Sequence, residues 1–152
     1  AVTAGPLRIL MCDTMVPGSD AGRLDEERRA WLAGALGDGP AIVAMHHPPI
    51  WTGIGAFDAI GLPAGDRAAL AELVRGRNGV LGVVCGHVHR AMTGALGGVT
   101  VTIAPSSWRQ SALDLRPGAL LRLGGDPPGY CMHVVGEDGG ALATHTAVLG
   151  SR

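Results

Sequence analysis

The sequence has no lysine: its twelve basic residues are all arginine, set against thirteen acids for a net charge of −1. So even a balance excludes the electrostatic footprint of a protein that grips a nucleic-acid backbone or an anionic membrane surface. The missing lysine, beside abundant alanine and glycine, reads as genome composition bias rather than as function. Large rings are also scarce, being confined to Trp31, Trp51, Phe57, Trp108 and Tyr130. There is no Cys-x-x-Cys. Cys12, Cys85 and Cys131 each sit in or at the end of an apolar stretch, so they form no close-spaced thiolate site and fit reduced, buried thiols of a cytoplasmic protein. No apolar run approaches the roughly 20 residues of a membrane span, and no charged segment leads into an apolar one as in a secretory signal. An initiator methionine is missing too. Ala1-Val2-Thr3-Ala4-Gly5-Pro6 leads at once toward a strand, which fits a processed or truncated piece.

What is present suits one domain over residues 1–152, long enough to bury a core without staples. Leu7 to Cys12, Ala41 to Met45 and Val80 to Cys85 are short apolar runs bounded by turn residues, and each is expected to be a buried strand. Between them, Leu24 to Leu36 and about Asp66 to Arg75 carry apolar residues at helical spacing, while Thr52 to Ala64 is a glycine-rich loop. Strand, helix, strand, helix, strand implies parallel pairing through crossover helices, an α/β arrangement. Beyond Arg90 the texture changes. Met92 to Leu96 and Val99 to Ala104 flank Gly97-Gly98 as a hairpin, and Ala119 to Leu123, Tyr130 to Val135 and Leu142 to Val148 read as further, antiparallel strands.

Histidines gather at two of the expected strand ends. Ala41-Ile42-Val43-Ala44-Met45 runs into His46-His47-Pro48-Pro49, and Val83-Val84-Cys85-Gly86 runs into His87-Val88-His89-Arg90. The paired prolines forbid a helix and hold an extended loop against the first strand, and Gly86 lets the backbone turn sharply after the second. The C-terminal edge of an open α/β sheet is where such folds place their sites. Two strand ends can thus bring three imidazoles to one point, and neutral nitrogens with an open position suit a transition metal. His133 and His145 stand alone in β-like segments and read as structural. Asp13, at the first strand's end, reads most simply as a carboxylate capping loop amides. Arg90 is a candidate to steer a phosphate and Trp51 to stack on a base, against the plainer readings of a surface arginine and a packed ring.

Met45-His46-His47-Pro48-Pro49 and Gly86-His87-Val88-His89 resemble the third and fourth metal-binding blocks of the calcineurin-like metallophosphoesterases. The likeness extends through Leu7-Arg8-Ile9-Leu10-Met11-Cys12-Asp13-Thr14-Met15-Val16-Pro17-Gly18, Leu24-Asp25 and Trp31-Leu32, which are similar to the class III cyclic nucleotide phosphodiesterases and bacterial glycerophosphodiesterases. The resemblance implies an αββα sandwich and a site with two metals, iron, manganese or zinc. It implies that His46 and His87 hold one ion and His89 its neighbour, and that His47 faces the substrate or supports the ligands as a catalytic-site residue, unless it exchanges roles with His46. A hydroxide between the metals would attack phosphorus in line.

The same family supplies its remaining ligands from D-x-H, G-D and G-N-H-[DE] blocks, and no D-x-H or G-N-H-[DE] and no substitute G-D block occurs here. Asp13-Thr14-Met15 lacks the histidine of D-x-H, and Gly37-Asp38-Gly39 lies in a break after a helix. The chain therefore resembles the C-terminal half of such an enzyme: parallel strands with crossover helices, then antiparallel strands. Two rival readings stand beside this one, a mononuclear zinc hydrolase using three histidines and a non-catalytic fragment or interaction module. The expected partners are a small phosphodiester and, through an exposed sheet edge, a second copy of the chain in a homo-oligomer, with no nucleic-acid polymer and no membrane.

Overall fold

The computed structural model describes residues 1–150, which begin with a hairpin in which β1 (Val2–Ala4) runs antiparallel to β2 (Leu7–Cys12). Gly5 takes the left-handed backbone of its turn at φ 57°. Then follow α1 (Glu26–Ala35), β3 (Ala41–Met45), a short α2 (Gly55–Asp58), α3 (Ala64–Val74) and β4 (Val80–Cys85). As the alternation of strands and helices requires, β2, β3 and β4 pair in parallel, with Leu10, Val43 and Val83 in one row and Cys12, Met45 and Cys85 in another. The hairpin of β5 (Met92–Leu96) and β6 (Val99–Ile103) closes over Gly97 and Gly98, both at positive φ.

The sheet order is β1-β2-β3-β4-β6-β5, and β7 (Gly129–Val135) with β8 (Leu142–Val148) forms a separate two-stranded sheet. One expectation is corrected here: β6 does not belong to a purely antiparallel set but lies parallel to β4, Cys85 facing Ile103. A second correction concerns Ala119 to Leu123. Leu120, Leu121 and Leu123 are exposed and find no partner strand, so the run after the Pro117-Gly118 turn makes one isolated bridge, Ser111 to Leu123. A third is α2, a helical turn inside what reads as a loop.

One face of the sheet carries the core. Leu10, Val43, Val83 and Val101 are buried there together with Leu32 and Leu36 from α1 or its end and Leu70 and Val74 from α3. The helix α1 starts later than its apolar pattern suggests, because Asp25 is the N-cap and accepts the Arg28 amide. No basic residue lies in its last turn; Arg8 reaches over from β2 instead and donates to the carbonyls of Ala35, Leu36 and Gly39 at 2.6, 3.0 and 3.0 Å. The opposite face is only partly covered. Leu142 of β8 lies against Gly82, where a Cβ would meet it at 2.7 Å. Beside the hairpin a cleft of about 610 Å³ runs over Met11, Ala44 and Val84 to His46 and His133. Among the described residues no helix is long and apolar enough to cross a membrane.

Candidate metal centre

The parallel register sets the site. Cys12, Met45 and Cys85 end their strands side by side, so the residues that follow, Asp13-Thr14, His46-His47 and Gly86-His87, emerge at one edge. Ligand atoms of His46, His47 and His87 all lie within 4.8 Å of one another. His46 is exposed, His87 half-buried and His47 only 1% exposed. His46 Nε2 and His87 Nδ1 are 3.2 Å apart, and the Gly86 amide donates to the His46 carbonyl.

The Gly86-to-Arg90 segment leaves β4 at Cys85 and winds through two left-handed residues, His87 at φ 68° and His89 at φ 52°. Left-handed backbone at a residue with a Cβ costs about 1–3 kcal/mol and persists only where the surroundings enforce it. Here Val88 is fully buried between the two histidines, Ser111 Oγ donates to the Val88 carbonyl at 2.7 Å, and the Ser111 amide donates to the His89 carbonyl at 2.9 Å. Because the histidines alternate around a turn rather than along a strand, their rings do not share a face. His89 is exposed and stands outside the three-histidine group.

Burial sets the protonation. The imidazole of His87 is pushed down to about 4 by desolvation and then by the neighbouring His47, His46 and His89. His46 is lowered by desolvation, then by His47 and His89. Both rings are therefore neutral at pH 7, with lone pairs free of protons. His87 Nε2 is buried with no hydrogen-bond partner. His47 differs: its Nδ1 lies 2.9 Å from Thr14 Oγ1 and its Nε2 3.0 Å from the Asp20 carbonyl, so both nitrogens are engaged within the protein.

The other sequence candidates are dispersed. Arg90 donates to the Ser111 carbonyl and pairs with Asp126, both at 3.0 Å, tying down the loop that follows β6. Trp51 is 66% exposed and lines a groove with Ile50, Arg67 and Gly94 that no histidine reaches. Asp13 caps the Met15 amide at 2.8 Å, as a loop carboxylate should. His133 bonds the Thr144 hydroxyl at 2.9 Å on the hairpin. Two residues at the site were assigned no role from the sequence, Thr14 and Ser111, both 1% exposed. Each is a hydroxyl whose partner lies more than twenty residues away, a relation no local pattern encodes.

No family model matches the chain. Among curated proteins, it is 38% identical over 148 residues to a probable glycerophosphodiester phosphodiesterase of Arcobacter nitrofigilis, covering 95% of this chain and 54% of that protein. It is 33% identical over 116 residues to a cAMP/cGMP dual specificity phosphodiesterase of Mycobacterium tuberculosis, covering 74% and 35%. A 3',5'-cyclic adenosine monophosphate phosphodiesterase of Pseudomonas aeruginosa matches at 28% over 141 residues, covering 91% and 50%. The chain spans about half the length of these relatives, or less. With its α/β sheet and the histidine blocks at two strand ends, the chain belongs to the metallophosphoesterase family, alongside these phosphodiesterases.

Proposed function

We propose that this chain carries the histidine side of a metal-dependent phosphodiesterase site, acting in the cytoplasm on cyclic nucleotides or small glycerophosphodiesters. The observation that carries the reading is the 3.2 Å between His46 Nε2 and His87 Nδ1. Metal–nitrogen bonds of about 2.0–2.1 Å at a tetrahedral angle put ligand atoms roughly 3.3 Å apart, so the two rings fit adjacent positions on one ion. A donor set of neutral imidazoles suits zinc or iron, and manganese once carboxylates join. When bound, such an ion polarises a phosphoryl oxygen and lowers the pKa of water. The chain's own residues hold and aim it. His46 and His87 offer proton-free nitrogens from two adjacent strand ends, His89 belongs to a neighbouring ion, and Arg90 acts by fixing the loop on the substrate side through Ser111 and Asp126.

Alone, the chain is expected to work poorly. Among the described residues no carboxylate joins the histidine group. Two divalent ions 4 Å apart repel by roughly 15–20 kcal/mol even at an effective dielectric of 20, and only an anionic bridge offsets that. One ion, held weakly, is the expected occupancy, and the open edge of β5 makes a homo-oligomer the expected state. The missing carboxylate also favours a second reading, a non-catalytic module that keeps the histidines. Metal analysis after dialysis, with hydrolysis of bis-p-nitrophenyl phosphate, separates these. At most one weakly held metal and slow, chelator-sensitive turnover supports the proposal. Two tightly held metals with rapid turnover refutes the impairment, and absent turnover with no metal bound supports the module.

A further inference from the structure

We propose that Thr14 and His47 form a positioning lock, in which His47 is held as the Nε2–H tautomer and is thereby kept off the metal while it aims its neighbour His46. The inference rests on the metal reading of His46 and His87 and assigns a role to Thr14, which no sequence pattern suggested.

The tautomer follows from the partners. The Asp20 carbonyl can only accept, so His47 Nε2, 3.0 Å away, carries the proton. In the neutral ring Nδ1 is then an acceptor, and the hydroxyl 2.9 Å from it must donate. Thr14 Oγ1 is free to do so, because its own lone pair accepts the His47 backbone amide at 3.2 Å. One hydroxyl therefore fixes both the backbone and the ring of His47. Thr14 and His47 are each 1% exposed, so the arrangement is shielded from competing water.

The lock also closes the segment after β2 over the strand ends. The Thr14 carbonyl accepts the Arg23 amide at 3.0 Å, and the Gly22 amide donates to the Ile60 carbonyl at 3.1 Å. A Cβ on Gly22 would lie 2.4 Å from His47 Cγ, so the ring is walled in on the Gly22 side. With His47 pinned inward, the consecutive side chain of His46 is left outward, with its Nε2 against His87 Nδ1. Groups that hydrogen-bond a metal-binding histidine typically change metal affinity 10- to 100-fold when removed, and Thr14, which acts on His46 through His47, belongs at the lower end of that range.

The test compares wild type, Thr14→Val, which keeps shape and loses the hydroxyl, and Thr14→Ser, which keeps the hydroxyl. Long-range ¹H–¹⁵N spectra report each tautomer, before and after added Zn²⁺, and titration calorimetry gives zinc affinity. The expected result is an Nε2–H tautomer for His47 that zinc leaves unchanged while His46 and His87 shift. Thr14→Val should mix the His47 tautomers and weaken zinc binding at least tenfold, and Thr14→Ser should restore both. A His47 proton on Nδ1, a zinc shift at His47 as large as at His46, or full zinc affinity in folded Thr14→Val overturns the inference. If zinc moves no histidine of the wild type, the metal reading fails, and the lock is judged on the tautomer alone: Nε2–H supports it and Nδ1–H overturns it.

Discussion

Gly22 faces the His47 ring so closely that a methyl group in its place would sit 2.4 Å from Cγ and 2.7 Å from Nδ1. The contact is a requirement for glycine set by space rather than by backbone angle, and it separates two kinds of glycine in this chain.

Gly22→Ala is expected to destabilise by about 1–3 kcal/mol, since the ring is pinned by a hydrogen bond at each of its two nitrogens and cannot give way without losing one. Gly34→Ala, inside α1 with nothing within 4 Å, is expected to stabilise by about 0.5–1 kcal/mol. Urea unfolding of the two variants beside wild type checks the opposite signs. A neutral Gly22→Ala would mean that the segment over the strand ends moves freely, which is incompatible with a lock.

For the metal centre, thermal unfolding with added Zn²⁺ is the simplest probe. At zinc ten times above Kd, binding to the folded state stabilises by about 1.4 kcal/mol, which is roughly 3–6 °C for a chain of this size. Wild type and His145→Ala, changed on the exposed face of β8, should both show that rise. His46→Ala and His87→Ala should not. A full response in either of these two variants would place zinc somewhere other than between β3 and β4.

What the sequence made legible follows from how local each signal is. Leu7 to Cys12, Ala41 to Met45 and Val80 to Cys85 declare themselves because a buried parallel strand is a continuous apolar run, and the observed strands have those bounds. Leu120 and Leu121 form the same kind of run but are exposed, since a strand also needs a partner and the chain offers none there. The place of β6 beside β4 was illegible for a related reason: a tight hairpin fixes β5 against β6 but says nothing about which strand the pair joins. At the site, proximity of His46 and His87 could be read from two strand ends, whereas the Thr14 hydroxyl lies 33 residues from His47, a pairing that no local pattern encodes. His89 shows the limit of spacing itself. An alternate residue shares a face only in a strand, and here the strand has ended at Cys85.

The cysteines should divide cleanly by reactivity. Cys12 is 4% exposed and its thiol is pushed up to about 11, by burial first and then by Asp13. Burial raises Cys85 further still, at 6% exposure. Cys131 is half-buried on β7 beside the Thr146 hydroxyl. At pH 8 a disulfide reagent should therefore find one fast thiol in the native protein and three in denaturant, and Cys131→Ser should remove the fast one. Two or three fast thiols would show that the partly covered sheet face opens readily to solvent.

Acid should weaken the metal-free fold in a window that His87 defines. Its folded-state value lies near 4, and a histidine in the unfolded chain protonates near 6.5. Between those values the unfolded chain binds the proton that the folded chain refuses, so stability rises with pH across the window, is complete above 6.5, and has been lost by pH 4. His46, lowered by desolvation and the same neighbours, adds to the slope in the same direction. His87→Asn is the informative variant, because asparagine tolerates the left-handed backbone at φ 68° and does not titrate. With chelator present, urea midpoints at pH 7.5 and 4.5 should differ less for His87→Asn than for wild type. The size of that reduction measures how far the fold is held in tension with a neutral imidazole at the strand end. Equal differences in the two proteins would show that the acid sensitivity has another source and that His87 is not the desolvated base of this site.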